Sequence, residues 1–160
     1  MAKTKRKDAA AVEANTGRHV DRGPLTDYLG YALRRASMSA VAEFLEAFQE
    51  VELRPTQFAV LTLIAETPGV RQTEICAYLG IQKANFVPLL NELERRGLVL
   101  RKSVVGDRRS SALHLTTLGN TTLQRARAIH EEYESRFVTR LGRRNRDQLL
   151  ALLNKVMDGA

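Results

Sequence analysis

The sequence predicts a mainly α-helical fold with one small β-hairpin and long helices at both ends. Three observations support this prediction. Apolar residues recur every three or four positions through most of the 160 residues, which is the period of a helix with one buried face. An alternating run from Ser111 to Leu115 follows the turn at Gly106-Asp107, as in a half-buried strand. Proline and glycine stand between these segments and mark their ends.

The first periodic segment extends from Leu25 to Val51 and predicts one long helix that starts near Pro24 or Thr26. At 1.5 Å per residue this helix would be roughly 35 Å long. A single small domain covers such a length poorly, so a partner chain would help to bury its apolar face.

Three shorter helices follow. The first begins at Pro55 and ends before Thr67-Pro68-Gly69, the next covers Gln72 to Leu79, and the last extends from about Gln82 to Arg96. Gly97 then stands where a helix-ending glycine is expected.

Two short strands are predicted next, near Leu98 to Ser103 and Ser111 to Leu115, joined around Gly106-Asp107. A long helix starts at Thr116 or Thr117, and a last helix contains the apolar residues from Leu149 to Val156.

Composition favours a nucleic-acid partner. The formal net charge is +7 and the pI is about 10.0, and such a basic balance suggests an anionic ligand. A membrane surface is the competing partner, but the chain has no Trp and no lipidation motif. A single cysteine, Cys76, allows no internal disulfide and fits a reducing, cytoplasmic compartment.

Residues 71–97 read RQTEICAYLGIQKANFVPLLNELERRG. Two helices separated by a glycine-containing turn are typical of a helix-turn-helix, whose second helix enters the major groove of DNA. The hairpin that follows would be a wing, so the predicted fold is a winged helix-turn-helix. Basic residues of the wing would reach phosphates or the minor groove, with Arg95 and Arg96 adding to the same surface; those of the wing are Arg101, Lys102, Arg108 and Arg109. The alternative is an ordinary solvated charged face.

Three sequence pieces together resemble the MarR family of winged helix-turn-helix regulators: LERRGLV at 93–99, DRR at 107–109 and LTTLG at 115–119. The resemblance covers roughly residues 25 to 157. It implies a homodimer that binds a palindromic operator, usually as a repressor. It also implies that a small effector releases this dimer from DNA. The predicted organisation is a disordered basic arm at 1–23, which the resemblance leaves out, a dimerisation helix at 24–52, the DNA-binding domain at 53–116 and dimerisation helices at 117–160. The arm could touch phosphates or be a solvated tail without a role.

The resemblance also implies roles for single residues. Arg109 matches the wing arginine that enters the minor groove, and Asp107 matches the acid that holds this arginine in position. The exposed start of the recognition helix would be Gln82, Lys83, Ala84, Asn85 and Val87.

Pro88 departs from the family pattern, because many relatives carry a base-contacting arginine there. Proline cannot donate the helical bond to Ala84, so we expect a local kink or a distorted first turn. Specificity would then depend on Lys83, Asn85 and Asn91 together with the wing. Asn85 could read an adenine or could cap the helix.

In similar proteins the effector lies between the dimerisation helices and the winged domain. Aromatic walls with one arginine would suit an aromatic carboxylate or its coenzyme A thioester; the candidate lining is Tyr28, Tyr31, Ala32, Arg35, Phe44 and Phe58. The same residues could equally be core and interface residues at helical spacing.

Other reactive residues predict no catalysis, metal or cofactor. His130 and Glu134 have a metal-compatible spacing, but a second histidine of the zinc-protease pattern is missing and a solvated helix face is favoured. Cys76 is expected to be a small core residue rather than a redox sensor, and His114 is expected to face outward. An enzyme is not predicted. The alternative function is a non-specific DNA-organising protein without a ligand switch.

Overall fold

The computed structural model describes the backbone of residues 23–104 and 107–158, and their side chains except those of 26, 104 and 107–110. Residues 1–22 of the predicted arm lie outside these ranges. The chain divides into two compact units within its first long helix, one ending at Ser39 and the other beginning at Ala40. Within the described ranges, no helix is long and apolar enough to cross a membrane.

The order of elements confirms the predicted fold class. Six α-helices and one antiparallel hairpin occupy the described ranges: α1 (Leu29–Ala47), α2 (Pro55–Glu66), α3 (Gln72–Leu79), α4 (Lys83–Arg95), β1 (Val99–Val104), β2 (Asp107–Leu115), α5 (Thr117–Leu141) and α6 (Arg143–Asp158).

The first helix is shorter than predicted. Short 3-10 helices, Gly23–Asp27 and Gln49–Val51, stand on either side of α1. Pro24 lies within the first of these 3-10 helices and not at the start of α1, and Glu52 adopts a left-handed φ of 51° after the second. The turn at Glu52 redirects the chain and brings Leu53, 2% exposed, into the core.

Helix ends are satisfied by nearby residues, as the sequence predicts. The backbone amide of Arg71 donates to Glu74 Oε2 at 2.7 Å. This bond satisfies one of the amides at the start of α3 that have no partner within the helix. Gly80 ends α3 with a left-handed φ of 63°. At the start of α5, the Thr116 hydroxyl accepts from the Gly119 amide at 2.9 Å.

The wing is larger than predicted and gains a third backbone segment. Its strands pair in register from Val99 with Leu115 to Ser103 with Ser111. The chain before α3 lies along the other edge of β2, where the Gly69 amide donates to the Leu113 carbonyl at 2.9 Å. The Leu113 amide donates to the Val70 carbonyl at 3.0 Å. The start of α3 is therefore fixed against the hairpin.

One core within the second unit joins α2, α3, α4, α5 and the hairpin to the end of α1. From α4 it takes Phe86, Leu90 and Leu93, all 0% exposed. Burying three such side chains contributes about 1.5–3 kcal/mol each, so one face of α4 is held firmly.

Helix α6 has no buried residue in the single chain. Its apolar side chains are about half exposed; they include Leu149, Leu150, Leu152, Val156 and Met157. An ion pair from Arg146 Nη2 to Glu134 Oε2 at 2.8 Å attaches α6 to α5.

We predict that Gly119→Ala strongly destabilises the protein. A Cβ at this position would contact the Leu98 carbonyl carbon at 2.9 Å and its oxygen more closely still. Backbone cannot yield as a flexible side chain can, so the loss should be about 1–3 kcal/mol or more. Urea unfolding measures it.

The matched control is Gly30→Ala. Gly30 also lies in the first turns of a helix, and a Cβ there meets nothing within 4 Å in the described structure. This change should be neutral or should stabilise by up to about 1 kcal/mol. Equal stability of the two variants would contradict the close approach at Gly119.

Candidate nucleic-acid interface

Helix α4 presents one polar face to solvent because its opposite face is fully buried. Gln82 is its N-cap, and the first three residues of the helix are exposed. The outer face carries most of the predicted DNA contacts: Gln82, Lys83, Ala84, Asn85 and Asn91 are exposed and Val87 is half-buried. The structure thus places the six predicted recognition-helix residues on one element. Asn85 is the third residue of α4, and the N-cap position is occupied by Gln82, whose side chain makes no capping hydrogen bond.

Pro88 does not interrupt α4. The helix continues from Lys83 to Arg95 with Pro88 inside it, and the expected local kink or distorted first turn remains a prediction. The missing amide leaves the Ala84 carbonyl without its helical bond. Ala84 is exposed, and water can hydrate that carbonyl, which keeps the cost of the proline small.

Arg101 connects the wing to α4. Its Nη2 donates to Asn91 Oδ1 at 2.9 Å and lies 2.8 Å from Glu94 Oε2. Arginine has only donors, so the Asn91 atom facing it must be the oxygen. The Asn91 amide nitrogen is therefore directed away from this contact. Sequence reasoning placed Arg101 and Asn91 separately at the interface and missed that one orients the other.

The predicted wing residues are only partly described. Lys102 is exposed on β1. The side chains of Asp107, Arg108 and Arg109 lie outside the described residues, although their backbone belongs to β2. The predicted pairing of Asp107 with Arg109 remains a prediction.

The two arginines at the end of α4 both have partners within the chain, but Arg95 stays on the surface, where its side chain is 73% exposed. Arg96 donates from Nη1 to the Glu52 carbonyl at 2.7 Å and from Nη2 to the Val51 carbonyl at 3.0 Å. It thereby holds the turn before α2. Arg95 forms a two-pronged pair with Glu92, at 2.7 and 2.9 Å, and this hydrogen bond lowers the pKa of the Glu92 carboxyl.

His114 is half-buried, whereas the alternation of the strand predicted an outward side chain. Its ring lies 3.8 Å from where a Cβ of Gly69 would stand. The segment paired along the edge of β2 therefore passes close to this ring. Cys76 is half-buried and packs against the core, in agreement with the expected structural role.

The predicted effector residues fall into two groups. Tyr28, Ala32 and Arg35 are exposed and Tyr31 is half-buried; Arg35 Nη1 lies 3.5 Å from the Tyr31 hydroxyl. These four belong to the unit that ends at Ser39. Phe44, in the other unit, is buried, and Phe58 is half-buried there.

An aromatic cluster surrounds Phe44 and Phe58. Their ring centroids are 6.1 Å apart, and Phe58 stacks on His130 at 4.8 Å. The Tyr133 ring meets Phe44 edge-on at 5.5 Å, and its hydroxyl donates to the Ala40 carbonyl at 3.1 Å. Burial, and then the nearby carboxylate of Glu134, raises the pKa of Tyr133, so its phenol stays protonated.

His130 therefore differs from the expected solvated face, since it packs in this cluster with its Nε2 at 4.0 Å from Glu134 Oε1. The sequence signal was the position of His130 one residue after Ile129 on the inward stripe. Within the described residues, no group of three or more potential ligands could hold a metal ion.

Comparisons with known proteins agree with this architecture. The MarR family model matches residues 52–110. The solved structure of the transcriptional repressor CouR bound to a 23-mer DNA duplex is 43% identical, with a TM-score of 0.83, and the match covers 88% of this chain and 99% of CouR. The solved structure of CouR bound to p-coumaroyl-CoA is 41% identical, with a TM-score of 0.82. That match covers 87% of this chain and 98% of CouR.

A curated relative agrees with the same assignment. The regulatory protein proposed for the hcr operon of Thauera aromatica is 29% identical over 84% of this chain and 81% of its own length. With the family match and the CouR structures, the winged hairpin beside α4 identifies the family: this chain belongs to the MarR family of transcriptional regulators.

Proposed function

We propose that the protein is a homodimeric repressor that binds a palindromic operator. Binding of an aromatic acyl-CoA thioester to the repressor releases it from the DNA. The observation that carries the proposal is the rigid presentation of α4. Its inner face is locked in the core by Phe86, Leu90 and Leu93, and its outer face is polar and open. A helix with this exposure beside a hairpin fits the major groove, which is about 12 Å wide.

In this proposal, α4 recognises DNA bases through side chains that donate hydrogen bonds. Lys83 offers an ammonium group at the exposed start of α4, and Asn85 offers a free amide. Arg101 engages the Asn91 oxygen, so Asn91 presents its NH₂ group to acceptors such as N7 and O6 of guanine. Donors of this kind partly replace the arginine that is absent at position 88. Arg108 and Arg109 are proposed to contact phosphates and the minor groove, with Asp107 positioning Arg109.

The exposed apolar stripe of α6 supports a dimer. Two recognition helices would then lie about 34 Å apart, one turn of duplex DNA, and would meet matching half-sites. The CouR structure with DNA supports a duplex as the partner, and the CouR structure with p-coumaroyl-CoA supports an aromatic thioester as the effector.

A footprint tests the DNA-binding proposal. Duplexes selected from random DNA and the region upstream of the gene should show a protected palindrome with half-sites one turn apart. Lys83→Ala should weaken binding about tenfold or more, since a good base contact discriminates by roughly 1–3 kcal/mol. The matched control is Lys155→Ala, which removes the same charge from exposed α6. Uniform coverage of unrelated DNA would instead support the alternative, a non-specific DNA-organising protein.

Release by the effector is tested on the same complex. p-Coumaroyl-CoA should lower DNA affinity by roughly 5- to 150-fold, the usual range of coupling between two sites. Coenzyme A alone and free p-coumaric acid should have weaker effects, because each carries only part of the thioester. Fluorescence anisotropy of labelled DNA measures the change.

Two neighbouring variants locate the effector site. Arg35→Ala should retain DNA binding and lose much of the response to the thioester, because Arg35 is proposed to meet its anionic part. Arg34 is the matched control, since it is also exposed but points about 100° around the helix. An unchanged response in Arg35→Ala would remove Arg35 from the proposed site.

A further inference from the structure

A small basic concavity lies among the start of α3, the start of α4 and the wing. We call it the basic notch; its volume is about 150 Å³, and the polar residues that line it are Arg71, Gln72, Thr73, Lys83, Arg101 and Ser111. Four of these were not among the predicted DNA contacts. At about 30 Å³ per water molecule, the notch holds roughly five waters, so a phosphate group fits inside it.

Three separate parts of the fold are brought together rigidly at the notch. Arg71 forms a backbone bridge with Ala112 of β2, which places the first residues of α3 beside Ser111. Arg101 is tied to α4 through Asn91 and Glu94. The positions of the lining residues are therefore set by backbone pairing and by one side-chain network.

All the charged side chains of the lining are donors, and its neutral polar side chains can donate as well. Arg71, Lys83 and Arg101 can only donate hydrogen bonds, while Thr73 and Ser111 can do either. The charge of Arg101 is balanced by Glu94, whose Oε2 lies 2.8 Å from Arg101 Nη2. The net positive charge of the notch therefore comes from Arg71 and Lys83. No acidic side chain lines the notch among the described residues. A ligand that complements this set must itself supply acceptors and negative charge.

Gln72 gives a second, independent indication. Its Nε2 is buried and has no hydrogen-bond partner in the described part of the chain. A buried donor without an acceptor is unfavourable. Rotation of the side chain toward the notch costs no hydrogen bond at Nε2 and would bring this amide to an acceptor there.

We propose that the basic notch binds a phosphate group, held by Arg71, Lys83 and the amide of Gln72. The phosphate of the DNA backbone is one source and rests on the proposed function, because Lys83 begins the recognition helix and Arg101 belongs to the wing. The phosphates of an acyl-CoA are the other source, with the same chemistry.

Single neutral linkages test the DNA source. A selected duplex is prepared with one methylphosphonate at each position in turn. For the wild-type protein, one linkage per half-site should lower affinity about tenfold, as expected for a hydrogen bond to a charged group. In Arg71→Ala and Gln72→Glu, the same linkage should have little further effect, and the salt slope should fall by about one.

Two controls separate binding from folding. Arg127→Ala removes one positive charge from exposed α5, away from the notch, and should retain the response to the neutral linkage. Gln72→Met keeps the length of the side chain and removes the unpartnered donor. It should raise the melting temperature while it weakens DNA binding, which an unfolded variant cannot do.

The side-chain amide signal of Gln72 distinguishes the sources by ¹⁵N NMR. A shift with the selected duplex supports backbone phosphate, and a shift with coenzyme A but not with DNA supports a small-molecule phosphate. If Arg71→Ala and Gln72→Glu bind like wild type and neither ligand moves the signal, the notch is not a phosphate site. The proposed function survives that result. If the wild type binds no duplex, the proposed function fails and the coenzyme A titration alone decides the notch.

Discussion

The apolar face of α6 is the constraint on which the proposed account depends. Leu152 is 52% exposed and Met157 is 64% exposed, and no residue of this helix is buried in the single chain. An amphipathic helix owes most of its stability to the burial of such a face. The ion pair between Arg146 and Glu134 attaches this helix to α5. A second copy of the chain, with the same uncovered face, is the cover that we propose.

In the helix-turn-helix and the wing, a different constraint applies: the exposed polar face of α4 must keep a fixed orientation. Leu90 and Leu93 anchor α4 from below, and Arg101 ties its later turns to β1. Arg96 connects the end of α4 to the turn before α2 through two carbonyls. In the dimer that we propose, movement of α1 or α5 changes the distance between the two recognition helices without changing the shape of either helix-turn-helix. An effector needs only unequal affinity for two such arrangements.

Most element boundaries were predictable because the signals are local. Pro55, Gly80 and Thr116 mark their helix ends in the sequence and in the structure alike. The first helix was predicted too long, because its apolar spacing continues past Ala47 into a 3-10 turn that also buries Val51. Apolar periodicity does not distinguish an α-helix from such a turn.

The site was predictable in its residues but not in its pairings. Helical spacing places Lys83 and Asn91 on the outer face of α4, yet the bond from Arg101 to Asn91 depends on how the hairpin packs. In the sequence, Arg96 looks like one more basic surface residue, whereas in the structure its guanidinium donates hydrogen bonds to two carbonyls that are distant in the sequence. His130 reads as polar, but stacking on Phe58 draws it into the aromatic cluster.

The molecular mass in solution tests the central claim most directly. Sedimentation equilibrium should give twice the chain mass of 17.9 kDa at micromolar concentrations. Leu152→Lys, which places a charge on the apolar face of α6, should shift the protein toward single chains. Gln148→Lys adds the same charge at an exposed polar position of that helix and should remain dimeric. A wild-type protein that sediments as one chain at every concentration, and still protects a palindrome, would contradict the account.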